Sequence, residues 1–291
     1  MIKLTIGMAT YDDYDGVFFS IQSLRMYHPI CRDQSVQFVV LDNNPKSSHG
    51  HECSNFLTNA VPGSKYIEYN GKPSSFNKYK IVNYADGEYV LIIDCHVLIE
   101  NNGIENLLNY FDQNYPCNDL IQGPLWYDDL VNVSTHFDPV WRGDMYGIWA
   151  SDRQSYDSRL PFEIPMQGMG LLAFKKSAWR GINQNFVGFG GEEGYIAEKF
   201  RSWGGKNICL PSLRWNHRFG RPNGVKYPLI LEDRIWNYFI GWMEITKNPE
   251  HEFVQKIKEH FKNRIPENSI NNIFNRAKNL IFNEGDNYAN S

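Results

Sequence analysis

The stretch Tyr89-Val90-Leu91-Ile92-Ile93-Asp94-Cys95-His96 decides the fold. Five apolar residues in a row leave no polar face, which is the pattern of a strand covered on both sides. Such strands belong to parallel-rich sheets flanked by helices, and ligands bind those sheets beyond the carboxyl ends of the strands. This run ends on a carboxylate and an imidazole two residues apart, Asp94 and His96. In an extended chain, positions i and i+2 face the same side, so the pair can hold one divalent cation. Mixed oxygen and nitrogen donors suit Mn2+, with Mg2+, Co2+ or Zn2+ as alternatives. Taken alone, an Asp at a strand end reads equally as a cap or a turn residue.

Working toward the N-terminus, Gln37 to Leu41 and Ile2 to Ala9 are two more buried-strand runs, and Lys65 to Glu68 is a shorter one. Between them, Tyr14 to Tyr27 carries Val17, Phe18, Ile21 and Leu24 at helical spacing, and Ser75 to Tyr84 reads as helical. Asp42-Asn43-Asn44-Pro45 is strong turn chemistry, in which Asp42 is an ordinary Asx-turn residue. Toward the C-terminus, Ile104 to Phe111 reads as a helix, Asp119 to Gln122 and Gly168 to Phe174 as strands, Gly191 to Phe200 as a helix and Asn207 to Pro211 as a strand. This alternation specifies an α/β fold with a mixed, mainly parallel central sheet and flanking helices. Thr10, Asp12, Asp42 and Asp94 all fall at strand ends, where they can share one crevice.

Trp126 to Phe162 shows little periodicity and is dense in Trp, Tyr, Asp and Arg. A stretch of that length is a functional loop or a structured insertion with a minor core of its own. Its aromatics Trp126, Tyr127, Trp141 and Trp149, with Tyr146, are an acceptor platform in the first reading and ordinary packing in the second. From Pro249 the chain reads as polar amphipathic helices, fraying over Asn283 to Ser291. The resulting division is a domain over 1–245, with halves at about 1–120 and 121–245, and a helical appendage over 246–291.

The 291 residues are 42% hydrophobic, enough for a sizeable core. The net charge of −4 argues against a general nucleic-acid binder and against attraction to anionic membranes. The five cysteines are scattered, with no CxxC pair, which fits free thiols in a reducing compartment. No apolar run approaches the ~18–20 residues of a membrane span. The expected location is the cytoplasm.

A second constellation lies downstream. It runs Phe186-Val-Gly-Phe-Gly-Gly-Glu-Glu-Gly194, then Phe200-Arg-Ser-Trp-Gly-Gly205, then His217-Arg218-Phe219. This segment resembles the C-terminal catalytic segment shared by polypeptide N-acetylgalactosaminyltransferases and β-1,4-galactosyltransferases. The N-terminal blocks TIGMATYDD, FVVLDNNP and ADGEYVLIIDCH resemble the successive strand ends of glycosyltransferase family 2. The resemblance covers about residues 2–220 and is thinnest over 124–165. It departs from the pattern at Phe189, where the relatives carry Trp, and at Lys78-Tyr79, where family 2 carries Arg-Asn.

The resemblance implies a GT-A fold and a glycosyltransferase that moves a sugar from a UDP-sugar to an acceptor hydroxyl. It implies that Asp94, His96 and His217 bind the metal, Mn2+ before Mg2+. It implies that Thr10, Asp12, Asp42, Lys78, Asp94, Gly168, Gly191 and Arg218 contact the donor, Arg221 being another candidate cation. In the galactosyltransferase-like pattern the second acid of the Gly-Gly-Glu-Glu block is the general base and the anomeric centre inverts. Glu193 takes that role here, and Glu192 orients the sugar. The metal motif leans instead toward the retaining relatives. The bland reading of both glutamates is that they complement a helix dipole.

A glycan or surface polysaccharide is the expected acceptor, with a hydroxymethylated DNA base or a protein Ser/Thr as alternatives. Two readings of another class are a GT-A-fold nucleotidyltransferase and a non-catalytic carbohydrate-binding protein. The first wants a Gly-rich, cationic loop after the first strand, and residues 7–16 hold no Lys or Arg. The second does not need three metal ligands beside paired glutamates.

Overall fold

A computed structural model of the chain describes residues 1–220, 224–225 and 229–282. Arg221 and the segment from Asn283 onward lie outside the described residues. In chain order the elements are β1 (Leu4–Thr10), α1 (Tyr14–Tyr27), β2 (Val36–Asp42), α2 (Ser48–Ala60), β3 (Lys65–Glu68), a 3-10 segment (Ser75–Asn83), β4 (Tyr89–Ile93), β5 (Val97–Ile99) and α3 (Gly103–Gln113). They continue with β6 (Leu120–Gln122), β7 (Leu125–Trp126), β8 (Val133–Ser134), β9 (His136–Arg142), β10 (Met145–Ala150), α4 (Arg153–Asp157), β11 (Phe162–Glu163) and β12 (Leu171–Lys175). The last are α5 (Glu192–Ser202), β13 (Asn207–Cys209), β14 (Trp215–His217), α6 (Leu231–Thr246), α7 (Glu252–Phe261) and α8 (Glu267–Phe282).

The central sheet has eight strands in the order β11-β13-β6-β12-β4-β1-β2-β3. β4, β1, β2 and β3 run parallel, and β12 enters antiparallel between β4 and β6. The apolar run of β4 is split between two cores. Tyr89, Leu91 and Ile93 pack on one face with α1 and α3, and Val90 and Ile92 on the other with α5, α6, α7 and α8. That two-sided burial is why the run carries no polar residue. The stretch read as unpatterned, 126–162, holds a two-stranded β9–β10 hairpin whose strand residues are mostly half-buried.

A second sheet of four strands, ordered β5-β14-β7-β8, begins with the strand that follows β4 through Asp94-Cys95-His96. Its pairing sets His217 of β14 opposite Val97 of β5, and the Arg218 N–H donates to the His96 carbonyl at 3.2 Å. Residues about 120 positions apart in sequence thereby become neighbours. The C-terminal helices α7 and α8 pack on α6 and share one core with β4 and β12.

Candidate active site

The centre of the site is the turn Asp94-Cys95-His96 between β4 and β5. Helix α1 fixes it from below. Ser20 Oγ donates to the Cys95 carbonyl and accepts from the Val97 N–H, both at 3.1 Å. Gly16 permits the contact, since a Cβ there would stand 2.6 Å from the Cys95 carbonyl oxygen. This close approach places the N-cap of α1, Asp13, beside the metal motif. Asp13 accepts from the Gly16 N–H at 3.1 Å, meets His96 Nδ1 at 2.9 Å and accepts from Arg218 Nη2 at 2.7 Å. Burial raises the Asp13 pKa, but the hydrogen bonds and charges of His96 and Arg218 outweigh it and hold the carboxyl well below its ordinary range.

Asp94, His96 and His217 each offer a ligand atom, and these atoms lie within 4.8 Å of one another. His217 Nε2 is 3.1 Å from Asp94 Oδ2, and Lys78 Nζ is 3.4 Å from Asp94 Oδ1. Burial pushes Asp94 up, yet the Lys78 ammonium and the His217 contact dominate and keep it ionised. With its Nδ1 engaged by Asp13, His96 presents Nε2, which is buried without a hydrogen-bond partner; so is His217 Nδ1. A buried polar atom without a partner costs about 1–3 kcal/mol, and a cation would satisfy it. One carboxylate, two imidazoles and a carboxylate behind one imidazole form a donor set that fits a divalent ion of borderline softness.

Two cavities meet at this cluster and share Lys78, Asp94, Phe189, Glu192 and Gly224. The smaller, about 300 Å3, runs past Thr10, Asp12, Asp13, Asn43, His49 and Arg218. The larger, about 470 Å3, is bounded by Phe137, Trp149, Met169, Glu193, Trp215 and Phe219. Glu192 and Glu193 open α5, and both are buried. Gly190 (φ 89°) and Gly191 (φ 100°) turn the chain into that helix through left-handed backbone that a side chain would strain. Burial raises both glutamate pKa values. The charge of Glu193 raises Glu192 further, Lys78 opposes the rise at both, and Arg234 also opposes it at Glu193. One oxygen of each, Oε2, is buried without a partner.

The structure gathers most of the sequence-derived residues here and leaves some apart. Thr10, Asp12, Lys78 and Arg218 line the smaller cavity, and Thr10 Oγ1 is buried without a partner. Asp42 does not line it. Its oxygens accept from the Asn44 N–H at 2.8 Å and the Tyr66 hydroxyl at 2.7 Å, so it is a turn residue, and its neighbour Asn43 faces the cavity instead. Gly168 lines the larger cavity beneath the Trp149 ring, and Gly191 serves as the N-cap of α5. Of the four aromatics, Trp149 lines the larger cavity. Trp126 lies under the Arg214 guanidinium, the Tyr127 hydroxyl meets Ser134, and Trp141 stacks on His260 within the second core. Sequence reasoning missed Asp13, whose signal was only its place in an acid-rich run before a helix.

The chain has a GT-A fold, shared with two solved glycosyltransferase structures. The chain superposes on GalNAc-T7 with UDP, GalNAc and Mn2+ at TM-score 0.70 and 13% identity, covering 99% of this chain and 58% of that one. It superposes on the mannosyltransferase PcManGT from Pyrobaculum calidifontis in complex with GDP-Man and Mn2+ at TM-score 0.57 and 12% identity, covering 96% and 74%. The chain thus spans little more than half the length of GalNAc-T7. No family model and no curated protein matches the sequence. All five cysteines are buried, and among the described residues no helix is long and apolar enough to cross a membrane.

Proposed function

We propose that the protein is a divalent-metal-dependent glycosyltransferase that moves a sugar from a UDP-sugar to an acceptor hydroxyl. The observation that carries this reading is the Asp94, His96 and His217 cluster, set where a cavity lined by Thr10, Asp12, Asn43 and Arg218 joins a second cavity flanked by Glu192 and Glu193. A cation held by those three side chains supplies Lewis-acid stabilisation of the departing diphosphate. Thr10, Asp12 and Asn43 hold the nucleoside. Lys78 and Arg218 face the diphosphate and offset the charge that develops as the sugar–phosphate bond breaks. In this reading residues 1 to about 120 form the nucleotide half, 121 to about 245 complete the catalytic half, and the helices beyond are an appendage.

Glu193 is the general base. It accepts the proton of the acceptor hydroxyl as that oxygen attacks the anomeric carbon, and the configuration inverts. Burial raises its pKa, and the charges of Lys78 and Arg234 oppose that rise. Glu192, on the wall common to both cavities, orients the sugar. The uridine preference rests on the sequence resemblance and on the UDP held by GalNAc-T7; the mannosyltransferase holds a guanosine donor. The test is release of nucleotide from UDP-sugars and GDP-mannose by the purified protein with Mn2+ and with EDTA. Hydrolysis of a UDP-sugar that stops in EDTA is the expected result. Equal release in EDTA, or preference for GDP-mannose, contradicts the proposal.

A further inference from the structure

A second set of ligand atoms lies behind the first. Asp13, Cys95 and His96 each offer one, and these atoms lie within 4.8 Å of one another. Asp13 Oδ2 is 2.9 Å from His96 Nδ1, Cys95 Sγ is 3.5 Å from His96 Nδ1, and Cys95 Sγ is 3.7 Å from Asp13 Oδ2. A tetrahedral zinc ion has bonds of ~2.3 Å to sulfur and ~2.0–2.2 Å to nitrogen and oxygen. Those bonds set nitrogen and oxygen about 3.4 Å apart, and sulfur about 3.6 Å from either. Both edges to sulfur are therefore already in place, and the edge from Asp13 to His96 has only to open by about half an ångström. The backbone holds the three residues in this arrangement. Ser20 bonds on both sides of Cys95, and Asp13 Oδ1 accepts from the Gly16 N–H as the cap of α1. All three residues line the smaller cavity, which gives an ion its entry and leaves the fourth position open to water.

The two sets differ in kind. Asp94, His96 and His217 offer oxygen and nitrogen, whereas the second set adds sulfur, and a thiolate selects Zn2+ or Cd2+ over Mn2+ or Mg2+. His96 belongs to both sets, and a neutral imidazole carries a single ring proton. With that proton on Nδ1, toward Asp13, Nε2 is a ligand for the first set. An ion on Nδ1 moves the proton to Nε2 and takes His96 away from Asp94 and His217. We infer that Asp13, Cys95 and His96 form an inhibitory site for zinc-class ions, whose occupation excludes Mn2+ from the Asp94, His96 and His217 set. The exclusion rests on the metal-dependent reading above, and the binding itself does not. On binding, the Cys95 thiol gives its proton to solvent. The exposed Arg218 side chain gives up its contact with Asp13 Oδ2, while Asp13 Oδ1 keeps the helix cap.

Cadmium is the probe for binding, because a thiolate ligand gives it a charge-transfer band in the ultraviolet. Titration of the metal-free protein with Cd2+ should raise that band to saturation at a single ion per chain. Cys95→Ser should abolish the band with the circular dichroism spectrum unchanged, and His217→Ala, which breaks only the first set, should keep it. The other four cysteines are present in every variant. A band that survives Cys95→Ser belongs to them and overturns the inference, as does the absence of a band in the parent. Exclusion is read by electron paramagnetic resonance, as the signal of free Mn2+ that reappears when Zn2+ is added to the Mn2+-loaded protein. Cys95→Ser should bind Mn2+ as the parent does but need at least about tenfold more Zn2+ to release it, since losing even an outer partner of a metal ligand costs that much. Equal release in Cys95→Ser would show Zn2+ replacing Mn2+ within the first set, and overturns the inference. A parent that binds no Mn2+ refutes the metal-dependent reading of the first set, and the cadmium band still decides the second.

Discussion

Asp13 does three things with one carboxylate: it caps α1, holds the His96 ring through Nδ1 and pairs with Arg218. A carboxylate behind a metal-binding imidazole fixes its tautomer and direction, and losing one typically costs 10–100-fold in metal affinity. Asp13→Ala should therefore weaken Mn2+ binding by roughly that factor, read by calorimetry, with the circular dichroism spectrum unchanged. Asp13→Asn, which keeps an oxygen for the Nδ1 proton, should recover part of the loss; full affinity in the alanine variant would show that His96 is held without it. Glu193→Gln should lower turnover by roughly 10²-fold with donor affinity little changed. Near-normal turnover, or an α-linked product from an α-linked donor, would remove Glu193 from the base role. The two buried glutamates also set a pH dependence. Their pKa values are raised on folding, so the folded state binds more protons and stability falls as pH rises above the ordinary carboxyl range. Glu192→Gln should raise Tm at pH 8, and the gain should shrink as pH falls toward 4.

At the scale of elements, the sequence was most legible where burial was uniform. Residues 89–93 and 14–27 form the elements expected of them, because a run buried on both faces and a one-sided helical stripe leave a clear pattern. The helix α2 was not legible. Its sequence SHGHECSNFLTNA is mostly polar and buries only Gly50, Cys53, Phe56 and Leu57. Helix α6 escaped notice for the opposite reason, since apolar residues lie on several of its faces. For the candidate site, the position of Asp94 and His96 at a strand end and of Glu192 and Glu193 at a helix start were readable from local order. The role of Asp42 was not, because the same Asp-Asn-Asn-Pro run serves a turn equally well, and only the Asn44 and Tyr66 hydrogen bonds decide it. Nor does composition separate the Trp that faces a cavity, Trp149, from the one that fills the core, Trp141. Glycine at the α5 entry is a requirement of the element. At Gly191 a side chain would occupy left-handed backbone and meet Asn237 Cβ at 3.1 Å. Gly191→Ala should cost about 1–3 kcal/mol, measured by urea unfolding, and stability within a few tenths of a kcal/mol of the parent would show that the turn relaxes freely.

Over the whole molecule, two sheets bring the candidate metal ligands together. The central sheet delivers Asp94 and His96 at the end of its middle strand, and the small sheet returns His217 to the same point through the pairing of β14 with β5. Sequence separation carries no trace of that pairing, which is why the third ligand was implied by resemblance and not by spacing. The proposed function requires that this convergence bind a metal which the nucleotide needs. Calorimetric titration of UDP into the protein tests it most directly, with Mn2+ and with EDTA, for the parent and for His217→Ala. UDP should bind in Mn2+, and that binding should disappear in EDTA and in the folded His217→Ala protein. UDP binding of equal strength with EDTA, or undiminished Mn2+ affinity in His217→Ala, would contradict it.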